Sequence, residues 1–514
     1  MRRKLGNLIR GSVLALTATM TVNAASAETL RYATIGEPPS LDLQMGTATL
    51  ATTIGQHMFE MLYAFDSTFE PQPFLATGET ISDDGLTITI GLREGVKFHN
   101  GQEMTADDVV ASLKRWGEYG ARGKLLVDDV ASIEATGPYE VTIKLNQPNG
   151  AWKSMLAFPN GGPVIYPADI VTAAGGEPIA PENYIGTGPF KFNEWRNNRH
   201  VELVKFDDYT GLDTPANGYS GARVAELDAI RFIPVPDVGT RVSGVQAGDY
   251  DYAEFISGDL YGILKDDPAL KIHLSGAPIF GLVFMNSKNG PLADNFPLRR
   301  AVLAALNMEE ALRVSVGEEA LWSANGSFFP EGNIWYTDAG TEAYSQGDPA
   351  KAKEMAEAAG YDGTPIKLLV STNYKTHFDQ ATVFTRQLAD AGINIEMVVV
   401  DWATLLKKRA QPDQWDMFVT HHGNIPDPVL LTALNNNYPG WWATEEKAVL
   451  DKKFTGTSDL DVRREAWAGL QALIYEQVPT MKVGDVYSYD IASPKLEGMG
   501  ETTLIWPHFW GVSK

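Results

Sequence analysis

The feature that most constrains this chain is an N-terminal export signal in a sequence without a single cysteine. An uncharged run over residues 11–22 leads to a small-residue cleavage site at Ala25–Ala27, and four basic residues precede it: Arg2, Arg3, Lys4 and Arg10. The run is shorter than the roughly 20 apolar residues that span a bilayer. We therefore predict a signal peptide over residues 1–27. The exported chain has to fold without disulfides and without a lipid-anchoring cysteine.

Length and charge set further limits. At 514 residues the chain exceeds the roughly 250–300 residues at which one hydrophobic core stops growing, so at least two domains are expected. Removing the four positive residues of the leader changes the net charge from −23 to −27. This charge argues against nucleic acid, whose phosphates need a Lys/Arg surface. No later segment is apolar enough to span a membrane. We predict a free periplasmic protein that uses the general secretory route.

Hydrophobic periodicity predicts an α/β architecture. Leu86–Leu92 and Tyr139–Leu145 alternate apolar and polar residues, as half-buried strands do. Phe280–Asn286 is a nearly continuous apolar run, which is typical of a strand buried on both faces. Ile366–Val370, a following helix and Ile393–Val400 form a β-α-β series, which indicates a second α/β lobe.

Capping residues mark several helices. Asp348 as N-cap, Pro349 at N1 and Gly360 at C′ bracket one helix. Thr105 and Asp108 resemble a capping box at the start of another. Further helices are predicted at Thr53–Tyr63, Pro297–Val314 and Asp461–Glu476.

The end of the chain is rich in aromatic residues. After a predicted strand at Val483–Ile491, the tail contains Trp506, Phe509 and Trp510. Burial of these side chains is strongly favoured over exposure to water. We expect the tail to dock on the first lobe, so that the chain crosses between lobes twice.

Motifs for catalysis and cofactor binding are absent from the sequence. It has no G-x-S-x-G, H-E-x-x-H or P-loop pattern. Gly186-x-Gly188 lacks the third glycine of a dinucleotide loop, and Pro189 prevents a helix from opening there. Adjacent His421 and His422 point apart in a strand, which favours pocket lining over a metal site. We predict no catalytic residue, no cofactor and no metal.

An ordered series of motifs resembles one family. The series begins with Pro39-Ser-Leu-Asp42 and continues through Leu86–Trp116, with its REGVKFHNG and TADDV elements, to Gly186-Thr-Gly-Pro-Phe190 and Gln387–Asp401. It is similar to the extracytoplasmic solute-binding proteins of the peptide/nickel ABC-transporter family (family 5, dipeptide- and oligopeptide-binding-protein-like). The resemblance covers essentially all of the chain after the predicted leader.

The resemblance implies a two-lobe periplasmic-binding-protein fold with an extra subdomain in the first lobe. Lobe I is then expected at residues 28–284 and 488–514, with an inserted subdomain at 63–180, and lobe II at 285–487. The two interlobe crossings are expected at Phe280–Asn286 and Val483–Ile491. The resemblance also implies a monomer that encloses its ligand by hinge closure and delivers it to an inner-membrane ABC permease with a separate ATPase.

The resemblance leaves the ligand open. In peptide-binding relatives an aspartate in the loop after a Trp- and Gly-rich strand, two to four residues before an Asp-Pro, pairs with the peptide's free amino group. The corresponding loop here is His422-Gly-Asn424-Ile-Pro-Asp427-Pro428, and the aspartate position falls at Asn424. An amide cannot neutralise a buried ammonium group. Dipeptide-binding relatives also hold the ligand carboxylate with an arginine after the strand equivalent to Ile366–Val370, where this chain offers only Lys375 or His377.

We therefore expect a ligand other than a plain dipeptide: an opine-like conjugate, a glycoside or oligosaccharide, or a longer peptide held by its backbone. Flat aromatic and amide side chains suit such solutes. The predicted ligand contacts are Asn424, His422, Trp441, Trp442, Tyr438, Asn436, Trp402, Trp322, Asn325 and Lys375.

Two other classes of protein stay open from the sequence. An exported hydrolase of a glycoside-type substrate needs a carboxylate pair about 5–10 Å apart, which 65 acidic residues could include. A chaperone-like or surface-adhesion protein needs an exposed apolar patch and no enclosed cavity.

Overall fold

The computed structural model describes residues 28–276, 278–423, 425–500, 502–503 and 505–514. The predicted signal peptide and Asn424 lie outside the described residues. The described chain forms two large β-sheets and two small ones, with helices packed against them.

The first large sheet has eight strands and contains both the first and the last strand of the described chain. The first strand, Thr29–Thr34, lies near the middle of the sheet and pairs in parallel with Ala229–Pro234 and Tyr252–Ala253. The other strands of this sheet are Phe190–Arg196, His200–Lys205, Lys271–Ser275, Tyr489–Ala492 and Thr502–Thr503.

The second large sheet has six strands. The apolar strand Ile279–Met285 lies near its middle, antiparallel to Met417–His422 on one side and Thr480–Val486 on the other. The remaining strands are Trp322–Ser323, Ile366–Ser371 and Ile395–Val400. The predicted β-α-β series is confirmed, because Ile366–Ser371 and Ile395–Val400 pair in parallel.

The chain passes between these sheets twice. Sheet membership changes between Ser275 and Ile279, and again between Val486 and Tyr489. The predicted single strand Val483–Ile491 is therefore wrong, because its two halves belong to different sheets. The numerical lobe boundaries 284/285 and 487/488 stay a prediction, as do the limits 63–180 of the inserted subdomain.

Two small sheets precede residue 150. One has the strands Ala76–Ile81, Thr87–Leu92, Val130–Gly137 and Glu140–Leu145, and the other pairs Tyr63–Phe65 with Pro71–Pro73. Their apolar faces share a core with the helix Ala106–Tyr119. This helix starts as predicted, since the Thr105 N–H donates to the Asp108 carboxylate at 2.8 Å.

The helices cover both large sheets. The predicted N-cap and C′ residues of the helix Pro349–Ala358 are confirmed, because the Asp348 side chain accepts from the Lys351 N–H and Gly360 has a φ of 77°. The other helices are Thr49–Gly55, Lys124–Val127, Trp152–Met155, Ala168–Ala174, Val238–Ala247, Tyr261–Leu264, Phe296–Ala305, Met308–Ser315, Lys375–Asp390, Trp402–Lys408, Glu445–Thr455 and Leu460–Gln477.

Two helix predictions are wrong in their limits. The helix predicted at Thr53–Tyr63 occupies Thr49–Gly55 instead. The single helix predicted at Pro297–Val314 is two helices, because Leu306 is extended and the Asn307 side chain caps a new helix by accepting from the Glu310 N–H. An internal asparagine cap competes with helix continuation.

The aromatic tail docks on the first sheet, as predicted. Trp506, Phe509 and Trp510 are buried. The N–H of Phe509 donates to Nε2 of His57 at 3.0 Å, and the N–H of Trp506 donates to the Tyr219 hydroxyl at 2.7 Å. Phe509 therefore belongs to the core of the first sheet, and Trp506 and Trp510 belong to the core that the small sheets share with the helix Ala106–Tyr119.

A buried ion pair joins the small-sheet region to the second large sheet's helices. Asp427 lies 2.9 and 3.0 Å from Nη2 of Arg463, and both side chains are at most 5% exposed. The Ser154 hydroxyl, from the small-sheet region, donates to the same carboxylate at 2.8 Å. These contacts fix where the two regions meet.

Replacing Asp427 by Ala should lower the free energy of unfolding by about 3–5 kcal/mol, because it leaves Arg463 buried without its counter-charge. Urea unfolding followed by tryptophan fluorescence measures the change. The control is Glu465→Ala, which removes the solvent-exposed pair with Lys453 and should change stability by about 0.5 kcal/mol or less. Equal midpoints for the two variants would contradict the assignment.

Candidate functional site

The two chain passages lie side by side between the large sheets. Leu274 pairs with Tyr489 at the end of the first sheet, and Ile279 pairs with Val486 at the start of the second. A backbone hydrogen bond of 2.9 Å from Ser275 to the Ser488 carbonyl joins the passages. The candidate site is the space beside them, because strand ends from both sheets converge there.

Two carboxylates stabilise the first-sheet side of this space. Glu254 accepts hydrogen bonds from the Tyr32 hydroxyl at 2.8 Å and the Ile35 N–H at 3.0 Å. Asp490 accepts from the Tyr252 hydroxyl at 2.6 Å. Burial is the main cause that raises the pKa of Glu254 to about 7 and that of Asp490 to about 6.

Phe255 is an exposed residue that hydrogen bonds to Asp490 and Arg241 hold in place. Its φ of 48° is unusual for an aromatic residue, and its side chain is 41% exposed. Its N–H donates to Asp490 at 2.8 Å, and its carbonyl accepts from Arg241 at 3.1 Å. A small cavity of about 20 Å³ beside it is lined in part by Tyr489 and Trp506. A strained, exposed aromatic at a junction is a candidate contact surface.

The paired histidines define two faces of the second sheet. The prediction that His421 and His422 point apart is confirmed. The His422 ring stacks on Phe280, with centroids 5.5 Å apart and an interplanar angle of 8°. His421 points to the other face, where its Nδ1 lies 3.1 Å from Nε2 of His377. Burial lowers the pKa of both His421 and His422, which favours neutral rings.

An aromatic cluster surrounds His421. The rings of Tyr374, His377 and Trp402 lie 5.1, 5.1 and 6.2 Å from its ring. The cluster borders a pocket of about 180 Å³ whose surface is mainly apolar, and the lining residues are Ile279, Gly281, Tyr374, Thr376, His377, Gln380, His421 and Val486.

Two buried polar atoms of this pocket have no partner among the described residues. They are Nδ1 of His377 and Oε1 of Gln380, whose side chains are 3% and 2% exposed. Leaving a buried polar atom unpaired is costly, so such atoms are natural positions for ligand contacts. Among the described residues that line this pocket there is no carboxylate and no Lys or Arg.

Lys482 and Asp485 form a buried ion pair close to the second passage. The two side chains are at most 1% exposed, and Nζ lies 2.6 Å from Oδ1. Burial lowers the pKa of Lys482. Asn325 donates to the other oxygen of Asp485 at 2.8 Å. Asn325, one of the predicted ligand contacts, is thus hydrogen-bonded to this ion pair, although it also lines an open crevice.

Four predicted contacts lie elsewhere in the second sheet's region. Tyr438 packs on Phe284, near the far end of the strand from Phe280. Trp442 is buried and donates to Gln477 at 2.7 Å. Trp441 stacks on Trp415, and Asn436 accepts from Lys447 at 2.8 Å. None of these four residues lies at the passages, and their roles as ligand contacts stay predictions.

The other predicted residues have mixed positions. Trp322 pairs with Val486 at the second passage and donates to the Gly317 carbonyl at 3.3 Å. Lys375 is 84% exposed and paired with Asp379 on its own helix. Asn424 lies outside the described residues, so its role stays a prediction. The roles of His422 and Trp402, which do lie near the passages, also stay predictions.

The described residues contain no group of three or more His, Cys, Asp or Glu side chains arranged to hold a metal ion. The two carboxyl groups with a raised pKa, Glu254 and Asp490, accept hydrogen bonds from tyrosine hydroxyls and backbone N–H groups. These contacts give both groups a role in holding strand ends.

Comparison with known proteins decides the family. Residues 70–441 match the family described as bacterial extracellular solute-binding proteins, family 5. The chain belongs to this family. It is 28% identical over 497 residues to a probable peptide ABC transporter periplasmic-binding protein of Sinorhizobium fredii, covering 91% of this chain and 90% of the relative. It is 30% identical over 379 residues to the glutathione-binding protein GsiB of Salmonella paratyphi A, covering 70% of this chain and 67% of the relative.

Solved structures of the family share the fold. HbpA2 of Haemophilus parasuis superposes with a TM-score of 0.80 at 21% identity, covering 94% of this chain and 99% of that one. AgaA of A. tumefaciens, in complex with agropinic acid, superposes with a TM-score of 0.68 at 23% identity, covering 93% of this chain and 97% of that one. The predicted two-lobe periplasmic-binding-protein fold is confirmed, and the two sheets joined by two passages are its lobes.

Family membership assigns the chain to the substrate-binding proteins of ABC transporters. Its relatives are extracytoplasmic binding proteins, which agrees with a role other than catalysis. Among the described residues, no helix is long and apolar enough to cross a membrane.

The pH dependence of stability tests the environment of Glu254. In the native state the pKa of Glu254 is about 7, against an ordinary pKa of 4.5, so the group keeps its proton to about pH 7. Between those values the native state binds more protons than the unfolded state, so this group lowers stability as pH rises. Glu254→Gln should remove up to about 3 kcal/mol of that loss.

Melting temperatures of wild type and variant at pH 4.5 and pH 8 measure this effect. The variant should gain stability relative to wild type at pH 8, whereas the surface substitution Glu140→Gln should not. A constant difference between wild type and Glu254→Gln at both pH values would contradict the raised pKa.

Proposed function

We propose that this chain encloses a peptide-like or other small polar solute between its lobes and delivers it to an inner-membrane permease powered by a separate ATPase. The observation that carries the proposal is the convergence of Phe255, Tyr489, Phe280 and His422 on the two passages between the lobes. A ligand that contacts both lobes only in the closed state stabilises closure.

The chain is proposed to act as a free monomer in the periplasm after removal of residues 1–27. The absence of cysteine supports a protein without an acyl anchor. A binding role without catalysis is supported by the named relatives, and a glycoside hydrolase has no comparable support.

The ligand is proposed to be peptide-like without being a plain dipeptide. Relatives are named for binding peptide and glutathione, and a family structure holds agropinic acid. Asn424 supplies no charge for a free ammonium group. The pocket at His377 and Gln380 supports an uncharged apolar group that carries a hydrogen-bonding atom. We therefore add Tyr374, His377, Gln380 and His421 to the proposed contacts.

Native mass spectrometry of protein purified without denaturation tests the binding role. We expect a stoichiometric small solute, and readdition of that solute after its removal should raise the melting temperature. Solute at about 100 times its Kd adds about 2.7 kcal/mol of stability. Small-angle X-ray scattering should show a smaller radius of gyration with solute. Turnover of the solute, or neither retention nor stabilisation by any peptide, opine or oligosaccharide, would contradict the proposal.

Replacing Asn424 by Asp tests the amino-group position. The added carboxylate should favour solutes with a free ammonium group by about tenfold or more, because a close charge pair in a partly buried site is strongly coupled. Binding of a peptide and its N-acetyl form measures the preference. Asn289→Asp makes the same chemical change at an exposed position outside the proposed contacts and should leave the preference unchanged. An unchanged preference in Asn424→Asp would show that Asn424 does not contact the ligand.

A further inference from the structure

The small-sheet region of the first lobe contacts the second lobe through three hydrogen bonds. Each bond pairs one residue of the small-sheet region with one residue of the second lobe: Ser154 with Asp427 at 2.8 Å, Gly150 with Thr455 at 2.7 Å, and Thr68 with Ile334 at 3.0 Å. The donors are the Ser154 hydroxyl and the N–H groups of Gly150 and Ile334. We call these six residues the clasp.

The hydrogen bond between Ser154 and Asp427 is the buried part of the clasp. Both side chains are buried. Asp427 is also held from within the second lobe, because it accepts from Arg463 at 2.9 and 3.0 Å and from the Val429 N–H at 3.0 Å. The acceptor is thus fixed in position by its own lobe. A hydrogen bond to such a carboxylate is stronger than one between neutral groups.

Gly150 allows the two lobes to approach closely. It is buried, and a methyl group on its Cα would overlap the carbonyl oxygen of Thr457 and touch the Arg463 side chain. Its backbone lies outside the left-handed region that favours glycine. The reason for a glycine here is therefore the contact with the second lobe and not the backbone conformation.

Each half of the clasp is anchored in the core of its own lobe. Trp152 and Met155, on either side of Ser154, belong to the core of the small-sheet region. Phe454, next to Thr455, belongs to a core of the second lobe. The two halves are therefore fixed parts of different lobes, and rotation of the lobes about the passages can separate them.

The clasp is separate from the cavities beside the passages. None of its six residues lines the cavity at Phe255 or the pocket at His377. A solute held in those spaces does not have to touch the clasp. The clasp can nevertheless affect solute binding, because any contact made only in the closed state adds to the stability of that state.

We propose that the clasp forms only when the lobes close, and that it controls the affinity for the solute and the rate of solute release without contacting the solute. This inference rests on the proposed binding function and deepens it by naming residues that regulate release. Weakening the clasp lowers the population of the closed state, and the Kd rises by the same factor.

Replacing Gly150 by Ala tests the close approach of the lobes. The added methyl group prevents full closure, so we expect the Kd to rise at least about tenfold, mainly through faster dissociation. Calorimetry gives the Kd, and stopped-flow fluorescence gives the dissociation rate. The control is Gly137→Ala in the same region, where the methyl group makes only an ordinary contact of 3.5 Å with Glu140. It should leave both values unchanged.

Replacing Ser154 by Ala tests the buried hydrogen bond. Loss of a hydrogen bond to a charged group should raise the Kd by about tenfold. The matched control is Ser82→Ala, which removes a hydroxyl that donates to Asp84 at 2.6 Å on an exposed turn of the same region. This control should bind as wild type does.

Melting temperatures with and without solute distinguish the clasp from a permanent contact. If the small-sheet region moved with the second lobe, both variants would lose the same stability in the two conditions. A contact that forms only on closure predicts a larger loss with solute than without it. Small-angle X-ray scattering at the same solute concentration should also show a larger radius of gyration for Gly150→Ala than for wild type.

The probe is the compound that raises the melting temperature of wild type most among tripeptides, their N-acetyl forms, opines and oligosaccharides. Wild-type Kd values for Gly150→Ala and Ser154→Ala, or equal losses of stability with and without the probe, overturn the role of the clasp while the binding function stands. Failure of every compound to stabilise wild type counts against the proposed function and overturns the inference with it.

Discussion

The pairing of the two passages between the lobes is the constraint on which the structure depends. Each passage is only a few residues long, and the strands on either side are hydrogen-bonded to each other in both sheets. Because the passages are side by side, the lobes can rotate about them with little change in the chain between. The same pairing fixes which strand ends face the interlobe space, and so selects the residues that a solute can contact.

Packing at this junction follows a consistent division between satisfied and unsatisfied polar groups. Glu254, Asp490 and the Lys482–Asp485 pair have partners within the chain, so they hold the walls in position. His377 and Gln380 have buried polar atoms without a partner among the described residues. The first group makes the site rigid, and the second gives it chemical preferences. Apolar rings, among them Phe255 and Phe280, supply contact area between these two groups of polar residues.

Sequence patterns predicted the strands and the capped helices because those depend on neighbouring residues. The Asp348 cap and the apolar strand Ile279–Met285 are examples. Patterns failed where a distant contact decides the outcome. The segment Val483–Ile491 reads as one strand, yet its halves pair with different sheets. The conformation of Phe255 has no local signature, so that residue was missed.

The candidate site was predicted only in part, for a related reason. Trp441, Trp442 and Tyr438 have the composition of a pocket wall, but aromatic rings serve a hydrophobic core equally well, and the structure uses them there. His422 and Trp402 lie near the passages because of strand register and helix packing, which composition does not reveal. Residues of the first lobe, such as Phe255, are more than a hundred positions away in the chain.

The place of the last strand has a consequence for how the protein is made. Tyr489–Ala492 lies between Tyr252–Ala253 and Lys271–Ser275 in the first sheet, and Phe509 of the aromatic tail is part of the same core. The amino-terminal half therefore cannot finish its own sheet while the ribosome is still synthesising the rest. The first sheet can complete its native structure only after the carboxyl-terminal strand has been synthesised, so the nascent chain stays incompletely folded for longer. The general secretory route that we predict for this chain exports unfolded polypeptide, so late folding favours it.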